Sequence, residues 1–93
     1  METSTGDIQM ISLNGQNWLI WKAKMEDLLF CKDLYVPIEG DAVKSESMSA
    51  EDWKKLDRKA IDIIRQWVDD IVFYHISNET STRSLWKNLE YLY

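Results

Sequence analysis

Cysteine, histidine, proline and glycine are all scarce in this 93-residue chain, which has one cysteine, one histidine, one proline and three glycines. With Cys31 as its single thiol, the chain forms no internal disulfide and no cysteine-built metal cluster, and a reducing, intracellular setting is expected. Three glycines leave no room for a glycine-rich phosphate loop. No apolar run approaches the roughly twenty residues needed to cross a bilayer. The start, Met1 to Asp7, has neither the basic residues nor the apolar stretch of a secretory signal. The expectation is a soluble, cytoplasmic protein with no membrane partner. Positive charge is also in deficit: 11 Lys and Arg stand against 16 Asp and Glu, for a net charge of -5. That field opposes phosphate backbones, so no direct nucleic-acid contact is expected. Asn78-Glu79-Thr80 spells a glycosylation acceptor, which has meaning only in a secreted chain.

Convergent polar groups, the requirement for catalysis, are equally sparse. His75 follows an apolar run and is expected to be partly buried and hydrogen-bonded near a helix end. Cys31 has Lys32 beside it but no histidine or asparagine placed to complete a nucleophile, so it is expected as a small, buried or half-buried thiol. Glu26-Asp27, Glu51-Asp52 and Asp69-Asp70 lack metal-loop spacing and suit helix starts and solvent faces. The expectation is a protein that is not an enzyme, with no catalytic, cofactor-binding or metal-ligating residue, no cofactor and no small-molecule ligand.

Apolar and aromatic side chains are plentiful. Hydrophobic residues make up 45% and aromatics 12%, with five tryptophans, enough for one domain with a single modest core. Residues 1–11 read as a flexible tail whose Ile8, Met10 and Ile11 dock on a helical domain spanning 12–93. Asn14-Gly15 marks a turn and Asn17 an N-cap; beyond it Trp18, Trp21, Met25, Leu28 and Leu29 gather on one arc of a helix. Leu19 and Phe30 share a second arc. Pro37 forbids a long helix over 34–38, Gly40-Asp41 is a turn, and Lys44 to Ser49 reads as a mobile loop.

Ser49 to Asp52 resembles a capping box, opening a helix whose stripe runs Trp53, Leu56, Ala60, Ile63, Ile64, Trp67, Val68 and Ile71. Its other face carries Lys54, Lys55, Arg58 and Lys59, interleaved with acids; pairs such as Glu51 with Lys55 and Asp62 with Gln66 suit a solvated surface. Direct RNA binding there would show a steep salt dependence. Residues 69–76 suit a strand by composition, yet a short helix is favoured, since a lone strand has nothing to pair with. A last helix, capped by Thr80 or Ser81, carries Leu85, Trp86, Leu89, Leu92 and Tyr93 on one side.

The fold class is therefore all-α, a small orthogonal bundle of four to five helices. The core is assigned to Trp18, Trp21, Met25, Leu28, Trp53, Leu56, Ile63, Ile64, Trp86 and Leu89. Candidate residues for an assembly interface are Leu19, Phe30, Trp67, Phe73, Tyr74 and Tyr91.

The ordered motifs match a known pattern. Leu13 through Met25, Leu34 through Glu39-Gly40, Trp53, Lys59-Ala60-Ile61 and Ser84 through Tyr93 together resemble the N-terminal capsid region of Gag polyproteins from copia-type LTR retrotransposons, especially plant ones. The family's pattern places an aromatic at Trp18, tryptophan at Trp21, methionine at Met25, Glu-Gly after an aliphatic, and a closing Trp-x-x-Leu-x-x-x-Tyr. The resemblance implies a capsid-type helical domain that self-assembles into cytoplasmic virus-like particles around element RNA, as a piece of a longer polyprotein. Its implied partners are further copies of itself, in a capsid lattice or as a dimer in isolation, and other Gag regions. In the family a zinc knuckle downstream handles nucleic acid; one cysteine and one histidine cannot build it here. An alternative reading of the same residues is a domesticated Gag-like module that recruits a cellular partner or interferes with particle assembly.

Overall fold

The computed structural model describes residues 9–41 and 44–93. Among them the secondary structure is five helices: α1 (Trp18–Cys31), α2 (Val36–Glu39), α3 (Ala50–Arg65), α4 (Asp70–Ile76) and α5 (Thr82–Leu92). The 69–76 segment is helical. The single β-type pairing among the described residues is an isolated parallel bridge between Leu13 and Val68. Of the expected tail, residues 1–8 lie outside the described part, while Met10 and Ile11 rest half-buried against the core.

Local chemistry accounts for several helix ends. Ser49 has extended backbone and its hydroxyl accepts the Asp52 amide at 3.0 Å, while Glu51 and Asp52 in the first turn and Arg65 in the last oppose the helix dipole. Ser49→Ala is expected to cost about 1 kcal/mol, read as a lower urea midpoint with an unchanged slope. Ser81 caps α5 in the same way, accepting from the Ser84 amide at 3.1 Å. Pro37, in the first turn of α2, is compatible with helix because the amide it lacks would have no intrahelical partner there.

The end of α1 is a Schellman motif: the Leu34 amide donates to Leu29 O at 2.7 Å and the Asp33 amide to Phe30 O at 3.1 Å. Asp33 takes the left-handed conformation this needs (φ 59°), and Leu29 and Leu34, both buried, close the motif's apolar contact. Asn17 departs from its expected role. It stands at the N-cap position without a side-chain bond into α1; instead its Oδ1 accepts from the Asn14 amide at 3.1 Å and its Nδ2 donates to Ser12 O at 2.8 Å. It braces the loop before the helix.

α3 stops at Arg65, short of the stripe expected to continue to Ile71. Leu13 intervenes. Its amide donates to Trp67 O at 2.8 Å and its carbonyl accepts the Asp69 amide at 3.0 Å, so a distant segment occupies the backbone groups that would have extended the helix. Ile71 then starts α4 on the outside, 72% exposed.

Helix α5 is the hub, packing on α2, α3 and α4, while α3 also holds α1 and α2. Trp21, Met25, Trp53, Ile64, Trp86 and Leu89 are buried; Trp18, Leu28, Leu56 and Ile63, also assigned to the core, are half-buried around it. The core further includes Leu13, Leu29, Leu34, Ile38, Ala60, Ile61, Val72, Ile76 and Leu85. Two of its indoles, Trp21 and Trp86, form a cluster with the half-buried Trp18, the three standing pairwise at 5.8 Å. Trp21 Nε1 donates to Trp67 O at 2.8 Å, satisfying the one polar atom of a buried ring. Trp53 Nε1 likewise donates to Asp41 Oδ1 at 2.8 Å. The molecule is flat, 38 × 37 × 17 Å, about two helix layers thick. So thin a slab covers each helix on few sides, which leaves apolar groups outside.

Candidate functional site

The exposed apolar side chains fall into separate zones. Leu19, Phe30, Tyr74 and Tyr91 are 81%, 72%, 78% and 88% exposed. Leu19 and Phe30 share one side of α1 but lie about 16 Å apart along its axis, so they belong to different surfaces.

At the C-terminal end of α1, Phe30 meets Tyr35 edge to face at 6.4 Å, and with Val36 they line a cleft rimmed by Asp33 and Glu39. The Tyr35 hydroxyl is held above the ordinary tyrosine range, first by burial and then by the carboxylates of Glu26 and Glu39, with Lys22 pulling the other way. The zone is apolar at its floor and negative at its rim.

A second zone surrounds Tyr93. Its ring covers Gly15, whose φ of +89° and 3.3 Å clearance from Tyr93 Cε1 leave no comfortable place for a Cβ. One cleft beside the ring is lined by Leu19 and Ile20, the other by Val68, Asp69, Asp70 and Ile71. Ile20 and Ile71 join this zone unforeseen: periodicity placed Ile71 on the apolar stripe of α3 and left Ile20 on neither arc of α1, and both are exposed.

The remaining candidates behave differently. Phe73, 41% exposed, lies under the Arg65 guanidinium at 5.7 Å. Arg65 Nη2 also donates to Ser77 O at 3.2 Å and Glu79 O at 3.4 Å, so this ring is engaged within the chain. Trp67, expected at an interface, is half-buried against the core and its carbonyl anchors both Leu13 and Trp21; its position is structural. Tyr74 is open, with the His75 ring edge-on at 5.8 Å. Tyr91 projects from α5 one turn beyond the exposed Lys87.

Two polar expectations are corrected. His75 is exposed, because α4 buries its Val72–Ile76 side; the contact at this residue runs through its backbone oxygen, which accepts from Asn88 Nδ2 at 3.1 Å. Cys31 is exposed as well, at the last position of α1 and off the Trp21, Met25 and Leu29 stripe. On α3, Lys54, Lys55, Arg58 and Lys59 are all exposed, and the helical ion pair formed there is Arg58 with Asp62 at 3.0 Å. Asp57 turns inward: its Oδ1 accepts the Thr82 amide at 2.8 Å, and its carbonyl accepts the Thr82 hydroxyl at 3.0 Å. Thr82, fully buried, thus fastens α5 to α3, a role no local pattern signals. Among the described residues no group of three or more His, Cys, Asp or Glu side chains is placed to hold a metal ion, and no helix is long and apolar enough to cross a membrane.

Comparison with known proteins adds the family context. Residues 25–93 match the gag-polypeptide family of LTR copia-type elements. Over 86 residues the chain is 36% identical to the retrovirus-related Pol polyprotein from transposon TNT 1-94 of Nicotiana tabacum. That alignment covers 91% of this chain and 6% of the relative, so the chain spans a small fraction of that polyprotein's length. No solved structure matches. The turn and double-tryptophan segment from Leu13 to Lys24 precedes the matched family range.

Proposed function

Since this chain belongs to the gag-polypeptide family of LTR copia-type elements, we propose that it is a non-catalytic capsid-type domain that self-associates to build the shell of cytoplasmic virus-like particles. The observation carrying this reading is the separation of exposed apolar zones on one thin body, with Phe30 and Val36 in one and Leu19, Ile20 and Ile71 in another. A closed pair uses one self-complementary patch; a lattice needs several distinct ones. Each contact is weak alone, in the range of about millimolar to micromolar, and gains strength through multivalency.

The partners under this reading are further copies of the chain and other regions of the polyprotein. RNA contact is assigned elsewhere, since the basic face of α3 is crossed by its own acids and the net charge is -5. Electron microscopy of a longer Gag polypeptide containing this domain, with light scattering of the 93-residue chain alongside, tests the proposal. Regular particles from the longer protein are expected. A longer protein that stays monomeric at high concentration removes the reading.

A further inference from the structure

We infer that one copy of the chain lays the Lys87 and Tyr91 side of α5 into the acid-rimmed cleft formed by Phe30 and Val36 on a second copy. The inference rests on the self-association proposed above and names one of its contacts. The cleft has an apolar floor of Phe30, Tyr35 and Val36, and the carboxylates at its edge, Asp33 and Glu39, form no ion pair among the described residues. Its complement needs an exposed apolar group with a free cation nearby. On α5, Tyr91 is 88% exposed and Lys87 stands one turn before it, about 6 Å along the axis, with no ion pair among the described residues. An aromatic ring set against Phe30 and an ammonium set against Glu39 or Asp33 satisfy the cleft's two halves together.

The other surfaces fit less well. α3 is basic, but it bears no large exposed hydrophobic side chain, and Arg58 is paired with Asp62. Of the two clefts beside Tyr93, the one at Ile71 is lined by Asp69 and Asp70 and so repels an acidic rim, and the one at Leu19 and Ile20 is lined by no cation to meet it. Tyr91 does not fill the cleft of its own chain, as its exposure shows. The contact joins two different patches, so repetition propagates it into a ring or an open array, as a shell requires.

Charge exchange tests this. In sedimentation equilibrium of the whole chain, and of the longer Gag protein, Glu39→Lys and Lys87→Glu are each expected to weaken self-association by about tenfold or more. An equimolar mixture of the two variants restores it, since the changed cleft then meets the oppositely changed stripe; the double variant E39K/K87E restores it within one chain. Single variants that associate like the wild type, or losses that neither the mixture nor the double variant rescues, overturn this contact and leave the assembly reading standing. Wild-type protein that is monomeric in both lengths overturns both.

Discussion

Trp21→Ala is expected to lower the unfolding free energy by about 3–5 kcal/mol, the range for truncating a large buried aromatic. Three losses coincide. The fully buried indole stands 5.8 Å from both Trp18 and Trp86, so its removal opens a cavity at the meeting point of α1 and α5. Its Nε1 bond to Trp67 O disappears. That carbonyl also holds the Leu13 amide, so the bridge that ends α3 loses its neighbour. Domains of this size have only about 5–15 kcal/mol in all, and a large part of the variant population is expected to be unfolded at 37 °C. Urea unfolding followed by circular dichroism measures it. Trp21→Phe, which keeps most of the ring packing and drops the bond, should fall between wild type and alanine. A loss under about 1 kcal/mol for Trp21→Ala would mean that the indole cluster does not hold the core together.

Two adjacent truncations give the second large contrast. Leu29→Ala is expected to cost about 2–5 kcal/mol, because the Leu29 side chain is fully buried and supplies the apolar contact to Leu34 at the end of α1. Phe30→Ala is expected to cost about 1 kcal/mol or less, the worth of one edge-to-face contact, since the ring is 72% exposed and touches Tyr35 at 6.4 Å. Its effect should appear in association instead. Melting of dilute protein separates the two roles. A Phe30→Ala loss equal to that of Leu29→Ala would place the ring in the core and remove it from any interface.

These contrasts follow the limits of reading a chain by its periodicity. The helical character of α1, α3 and α5 was legible from apolar spacing, the start of α3 from Ser49, and that of α5 from Thr80 or Ser81, of which Ser81 makes the cap, because capping and amphipathicity are short-range properties. The candidate site was legible only in part. Leu19, Phe30, Tyr74 and Tyr91 are exposed, but no spacing rule separates them into zones; Trp67, read on the α3 stripe near a helix end and expected to be partly exposed, is half-buried beyond the end of α3, with its carbonyl holding Leu13 and Trp21. Ile71, read on the same stripe, is 72% exposed because α3 ends at Arg65 and Ile71 belongs to α4.

By itself, then, the sequence determined the helical character of α1, α3 and α5, the serine caps of α3 and α5, the scarcity of cysteine, histidine and glycine, and the indole-rich stripes that had to meet. Tertiary structure decided where α3 breaks, through Leu13 pairing with the backbone of Trp67 and Asp69. It also decided how α5 is fastened, through Thr82 on Asp57, and which apolar faces stay open. The physical reason is range. A helical turn is stabilised by residues three and four apart, whereas a backbone hydrogen bond taken by a distant segment, or a face left bare by a thin slab, depends on partners that local spacing does not specify.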